Sequence, residues 1–221
     1  MPTYTRDDFA RGTFDQDMQT QIGPEGAWEL LMDGNARYRE RRTLSHDVNQ
    51  QSEDTVGGQY PFAAVLSCID SRVPVELVFN LGIGDAFVAR VAGNVVDPAL
   101  LGSLEYACAV AGTPLLVVLG HSSCGAVTSA VKDVRAGNIT ALLSLIRPSV
   151  ERVAKDRDVA IAPTSEFVEV SVRQNVLDQL SAIRRDSEML AELERDGKLK
   201  IVGAVFHLGS GEVEVVSEEP A

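Results

Sequence analysis

Two apolar runs each lead into a cluster of metal-binding side chains, and this constrains the chain more than any other feature. Phe62-Ala63-Ala64-Val65-Leu66 precedes Cys68-Ile69-Asp70-Ser71-Arg72, and Leu115-Leu116-Val117-Val118-Leu119 precedes Gly120-His121-Ser122-Ser123-Cys124-Gly125. Short apolar runs without polar alternation read as strands covered on both faces, as in parallel sheets. In an open α/β sheet, chemistry collects in the crevice beyond the carboxyl ends of the strands. Both polar stretches fall at such ends. Together they offer two thiols, one imidazole and one carboxylate.

The rest of the chain alternates strand and helix patterns. Residues 1–23 lack periodicity and read as a mobile arm able to wrap a partner subunit. From Pro24, the spacing of Trp28, Leu31 and Met32 predicts a helix, and Arg37 to Arg42 give it a basic end that complements its dipole. Residues 43–60, with Gly57-Gly58, read as a loop. Strands are expected over 62–67, 86–91, 114–119 and 200–206. An edge strand over 212–216 should pair antiparallel after the Ser210-Gly211 turn. Helices are expected over 74–80 with Ser71 as its cap, and over 98–111, 124–135, 139–156, 164–186 and 187–195.

This pattern predicts an α/β fold: a mainly parallel four-stranded sheet with an antiparallel edge strand, helices on both faces and an N-terminal helical arm. Residues 24–216 form one domain in this reading, and 217–221 a frayed tail.

Charge and cysteine content narrow the function classes. The 221 residues carry 20 basic and 32 acidic side chains, a net charge of −12, which disfavours nucleic acid and anionic membranes as partners. No apolar stretch approaches the ~20 residues that span a bilayer. Met1 to Gln21 is polar and acidic, without the apolar core of a secretory signal. Three cysteines, an odd and sparse count, fit a reducing compartment better than a disulfide framework. A cytoplasmic protein is expected.

Spacing explains how the polar stretches meet. Cys68 and Asp70 are two apart, so they face the same way on an extended strand end. His121 and Cys124 are three apart, which suits a strand end running into a helix's first turn. There the helix dipole favours the Cys124 thiolate. Two thiolates and one imidazole suit zinc better than magnesium or calcium. Cys68, His121 and Cys124 leave a fourth position for Asp70 or for solvent. Arg72 can hold Asp70 in a two-point fork and draw it off the metal, which favours a catalytic zinc over a closed structural one. Cys108 reads as a packed core residue, and His46 and His207 as surface or satisfied side chains.

These motifs resemble those of β-class carbonic anhydrases. The resemblance rests on Cys68-Ile69-Asp70-Ser71-Arg72-Val73-Pro74, Arg90-Val91-Ala92-Gly93-Asn94, Gly102-Ser103-Leu104-Glu105-Tyr106-Ala107 and Gly120-His121-Ser122-Ser123-Cys124-Gly125. Val202-Gly203-Ala204-Val205-Phe206 and Gly211-Glu212-Val213 extend it, and it spans about residues 26–216. It implies one zinc ion per chain on Cys68, His121 and Cys124, with Asp70 either on the metal or paired with Arg72. The implied reaction is reversible hydration of carbon dioxide to bicarbonate and a proton by a zinc-bound hydroxide, oriented by the Asp70–Arg72 pair.

The resemblance also assigns substrate-binding roles to Gln59, Gly125, Phe87, Ala92 and Tyr106. By pattern alone Gln59 is a loop residue, Gly125 a turn glycine and the other three core. In the family some of these residues act across a dimer interface, so a homodimer or homotetramer is implied. Some bacterial members have a Trp three residues before the first zinc Cys, forming an inhibitory bicarbonate site with an Arg. Here Val65 holds that position although Arg90 matches the Arg, so no such site is expected. Phe206 stands where many members have Tyr, with little functional consequence expected. Two other readings share the motifs: a zinc hydrolase of carbonyl sulfide or carbon disulfide, and a non-catalytic zinc-stabilised assembly protein.

Overall fold

In the computed structural model, which describes residues 12–217, the sheet is built from β1 (Ala63–Ser67), β2 (Ala86–Arg90), β3 (Leu115–His121), β4 (Lys200–His207) and β5 (Glu212–Ser217). The spatial order is β2-β1-β3-β4-β5. The first four strands are mutually parallel and β5 closes the edge antiparallel to β4, as expected. From β1 the chain steps one way to β2 and the other way to β3. The order therefore reverses between β1 and β3, and the connections diverge there to leave a crevice. The two polar stretches follow these two strands.

Both faces of the sheet are covered, so the central strands carry no polar alternation. On one face Ala64, Leu66, Leu116, Val118, Ile201 and Val205 pack under the C-terminal helices, chiefly α8 (Ser165–Asp186). On the other, Val65, Val117, Val202 and Phe206 pack with Trp28, Leu30 and Leu31 of α1 (Gln16–Arg39). Helix α1 approaches its neighbour very closely: a Cβ on Gly34 would lie 1.9 Å from the Phe79 carbonyl oxygen. Asn35 then ties α1 to the sheet edge, donating to the Gly211 carbonyl at 2.9 Å and accepting from the Val213 N–H at 3.1 Å. No helix among the described residues is long and apolar enough to cross a membrane.

Several local expectations need correction. The part of the expected arm that is described is ordered: α1 starts at Gln16, bends at Gly23 (φ 61°), and buries Gln19 and Ile22. The Gln19 amide donates to the carbonyls of Pro61 (2.8 Å) and Ala111 (3.1 Å), tertiary anchors that no local periodicity reveals. The rest of the arm, residues 1–11, and tail residues 218–221 lie outside the described residues. The 43–60 loop contains α2 (Val48–Asp54), capped by Asp47 and held by buried Gln51, whose side-chain oxygen accepts from the Ile83 N–H at 3.1 Å.

Ser71 does not cap α3 (Val75–Val78); Pro74 occupies the cap position without a side-chain bond. The helix expected over 98–111 is α4 (Pro98–Glu105) continued by a wider π turn, Tyr106–Val110. That over 124–135 is shorter, α5 (Gly125–Val131). The segment 139–156 splits into α6 (Gly137–Ser144) and α7 (Arg147–Arg157), because Pro148 fits only a first helical turn. The last helix, α9 (Glu188–Arg195), lies where expected.

Candidate metal centre and active site

The crevice between β1 and β3 receives its donors from both strands. Cys68 follows the last residue of β1, His121 is the last residue of β3, and Cys124 is the N-cap of α5. The short connection between His121 and Cys124 is held on several sides. Ser123 adopts a left-handed conformation (φ 55°) and its N–H donates to Glu169 of α8 at 2.7 Å. The Ser122 N–H donates to the Phe206 carbonyl at 2.9 Å, and its hydroxyl oxygen accepts from the Leu208 N–H at 3.0 Å.

His121 is fully buried, and its Nδ1 lies 2.9 Å from the Ser122 carbonyl. A carbonyl only accepts, so Nδ1 carries the proton and Nε2 presents its lone pair. That Nε2 is buried and has no hydrogen-bond partner. A polar atom left so in a dry interior is costly unless an unseen partner satisfies it. The neighbours identify the partner's chemistry: donor atoms of Cys68, His121 and Cys124 all lie within 4.8 Å of one another. One soft ion bonded at about 2.0–2.3 Å to each donor fits this cluster.

The thiols respond to one another. The Cys68 thiol is pushed down, first by a hydrogen bond from the Cys124 thiol, with burial opposing and the neighbouring His121 imidazole and then the Gly93 N–H helping. Cys124 is pushed up by the same bond and by burial. A metal ion bound here takes both sulfurs as thiolates, so its binding releases protons.

Asp70 stands beside the cluster, its Oδ2 3.8 Å from His121 Nε2. Arg72 grips it from the other side, Nε to Oδ1 and Nη2 to Oδ2, and adds its own backbone N–H to Oδ1. The Arg72 side chain holds the Asp70 carboxyl well below the usual carboxylate range; burial opposes this, and the Arg72 N–H adds to it. The turn carrying Asp70 is itself clamped by Arg90, which donates to the carbonyls of Cys68 (3.0 Å) and Asp70 (2.7 Å).

The other predicted site residues divide into two groups. Gln59, Phe87 and Tyr106 line one surface cleft of about 550 Å³ together with Gln16, Gln19 and Tyr60, and none of Cys68, Asp70, His121 or Cys124 lines it. Ala92 lies in the 3₁₀ turn Ala92–Asn94, and Gly125 opens α5 directly after Cys124. Cys108 is buried and its thiol is pushed up to about 12 by that burial. His207 is bound to Glu214 at 2.9 Å, and His46 to the Asn80 carbonyl at 3.2 Å.

Sequence reasoning missed Glu169, Asn175 and Gln179, all on α8. The available signal was their position: Asn175 and Gln179 interrupt the buried face formed by Val168, Val172, Val176, Leu180 and Ile183. Polar residues on an apolar helix face call for buried partners.

Fold and site together define an α/β protein with a Cys-His-Cys cluster, compatible with zinc, at the sheet's switch point. The sequence model of the carbonic anhydrase family matches residues 63–213. The chain is 38% identical over 200 residues to a carbonic anhydrase of Mycolicibacterium smegmatis, covering 88% of this chain and 94% of that one. Carbonic anhydrase 2 of Mycobacterium tuberculosis is 38% identical over 194 residues, covering 85% and 90%. Among solved structures, a tetrameric β-carbonic anhydrase of Sordaria macrospora superposes with a TM-score of 0.68 at 27% identity, covering 75% of this chain and 85% of that chain. A Coccomyxa β-carbonic anhydrase in complex with acetazolamide gives 0.65 at 27% identity, covering 74% and 75%. The chain belongs to the β-class carbonic anhydrase family.

Proposed function

We propose that this carbonic anhydrase hydrates carbon dioxide reversibly to bicarbonate and a proton, with one zinc ion per chain on Cys68, His121 and Cys124. The observation that carries the reading is the buried, unpartnered Nε2 of His121, in a cluster with two thiols whose donor atoms all lie within 4.8 Å of one another. When bound, zinc supplies a Lewis acid that lets water act as a nucleophile near neutral pH.

The chain's own groups then set the geometry. The Arg72 fork keeps Asp70 ionised and fixes both of its oxygens. Oδ2, turned toward His121, accepts a hydrogen bond from the attacking oxygen and aims its lone pair at the substrate carbon. One carbon–oxygen bond forms, one π pair moves onto a substrate oxygen, and the water's other proton leaves to solvent. The Gln59 amide and the Gly125 N–H at the start of α5 serve as donors to the oxygen that becomes negative. Phe87, Ala92 and Tyr106 give the carbon dioxide an apolar wall.

Gln59, Phe87 and Tyr106 gather in a cleft apart from the cluster, so a second copy completes the site in this reading, as a homodimer or homotetramer. Edge strand β2 is only half covered, Tyr106 is 58% exposed and Val110 69%, as an interface surface would be. The Sordaria relative is described as tetrameric. The second copy, carbon dioxide and bicarbonate are the only partners proposed. A cytoplasmic location accords with three free, buried cysteines. Val65 is fully buried against the α1 side of the core, and Arg90 donates from Nε and Nη2 to the carbonyls of Cys68 and Asp70, which supports the expectation that this chain builds no inhibitory bicarbonate site.

Stopped-flow hydration of carbon dioxide tests the reading directly. Activity should appear with one zinc per chain, disappear on chelation and return on adding the metal. A zinc-loaded protein without hydratase activity overturns it. Turnover of carbonyl sulfide exceeding that of carbon dioxide would assign the scaffold to the hydrolase reading instead.

A further inference from the structure

Behind Cys68 lies a buried polar chain that the reaction itself does not require. The Gly93 N–H donates to Cys68 Sγ at 3.3 Å. The Gly93 carbonyl accepts from Asn175 Nδ2 at 2.8 Å, and Asn175 Oδ1 accepts from Gln179 Nε2 at 3.3 Å. Gln179 Oε1 accepts from the Val96 N–H at 2.8 Å. A carbonyl at one end and an N–H at the other fix the orientation of both amides, so the direction of every bond is set. Asn175 is 1% exposed and Gln179 5%, one helical turn apart on α8.

The turn they hold has little freedom of its own. Gly93 has a φ of 75°, and a Cβ there would lie 2.5 Å from Ile146 Cδ1. Asn175 and Gln179 pin it at the Gly93 carbonyl and the Val96 N–H, just after the Gly93 N–H that is aimed at the sulfur. An N–H bond to a coordinating thiolate withdraws electron density and orients the ligand, as outer partners of metal ligands do.

We infer that Asn175 and Gln179 are positioning residues that act through the Gly93 N–H on Cys68, setting its donor strength and orientation toward the metal. This rests on the metal reading above. A purely structural role would require only stability from these bonds. The positioning role also requires that the sulfur's behaviour toward a metal change when the chain is cut.

The test uses the metal alone as probe. Asn175→Leu keeps the bulk and removes the donor to Gly93; Gln179→Met removes the donor to Asn175 and leaves Asn175 in place. Zinc affinity is measured by chelator competition, and cobalt(II) is substituted to read the thiolate-to-metal charge-transfer band. Asn175→Leu should lose roughly tenfold or more in zinc affinity and displace the cobalt band; Gln179→Met should do both to a smaller extent. A folded variant with lowered Tm but wild-type affinity and band overturns the inference in favour of a structural role. If neither variant folds, the chain is a requirement of the core and the inference is likewise overturned. Failure of the wild-type protein to take up the ion would overturn the metal reading and this inference with it; wild-type uptake with unaltered variants overturns this inference alone.

Discussion

Arg72 holds Asp70 by both carboxylate oxygens, Nε to Oδ1 at 2.9 Å and Nη2 to Oδ2 at 2.8 Å, while Oδ2 stays 3.8 Å from His121 Nε2. The carboxylate is thus beside the cluster but engaged elsewhere. Asp70→Ala should lower kcat/KM for carbon dioxide hydration by about 10²–10⁴, the range for a positioned proton-handling group, with zinc content unchanged. Arg72→Lys, which keeps the charge and loses the fork, should fall between that variant and the wild type. Stopped-flow rates paired with metal analysis check both; full activity in Asp70→Ala would remove Asp70 from the mechanism.

His121→Ala should abolish stoichiometric zinc binding and bring hydration down to the uncatalysed background. The vacated imidazole leaves two sulfurs, too few for a tight site. Elemental analysis of the purified variant gives the answer, and one zinc per chain in it would contradict the assigned ligands.

Acid stability should depend on Glu214. It accepts from Arg173 at 2.7 Å and lies 2.9 Å from His207, and these two groups, Arg173 first, hold its pKa at about 2 against an ordinary 4.5. Above pH 4.5 the carboxylate is charged whether the chain is folded or not, and the whole contribution is present. As pH falls from 4.5 toward 2 the unfolded chain takes up the proton first, and the contribution drains away. The Arg173 and Glu214 side chains are 40% and 43% exposed, so solvent screening keeps it below about 1 kcal/mol. Thermal melts of Glu214→Gln at pH 6 should sit no more than about 3 °C below the wild type, and the gap should close by about pH 2. A gap independent of pH would refute the linkage.

Gly34→Ala should be severely destabilising. The added Cβ would meet the Phe79 carbonyl oxygen at 1.9 Å, and backbone cannot yield as a side chain can. A loss of about 3 kcal/mol or more is expected, readable from urea unfolding or, if the chain does not fold, from loss of soluble protein. A variant of wild-type stability would show that α1 packs elsewhere.

Cys108 should resist alkylation in the folded protein at pH 8. Burial raises its thiol to about 12, leaving almost no thiolate. Mass spectrometry after iodoacetamide treatment should find it unmodified until denaturant is added.

How far the sequence led can be traced residue by residue. Strands β1, β3 and β4 were legible because burial on both faces writes itself as an unbroken apolar run, and α8 because its apolar stripe recurs at helical spacing over 22 residues. Segment Val48–Asp54 was hidden: six polar residues after Val48 show no apolar stripe, and the helix is held by Gln51 reaching the Ile83 N–H, 32 positions away. The ordered start of α1 was hidden for the same reason, its Gln19 depending on Pro61 and Ala111. Asn175 and Gln179 looked like interruptions of a stripe, and their partners Gly93 and Val96 lie about 80 positions back.

The sequence by itself determined which atoms are available for chemistry and which strands carry them, because side-chain type and local periodicity are properties of neighbouring residues. Only the tertiary structure decided that Cys68 and His121 face one crevice, that Asp70 leans on Arg72, and that a glycine N–H held from α8 points at a sulfur. Those outcomes depend on strand order and on hydrogen bonds between distant segments, whose energies appear only once the chain has closed on itself.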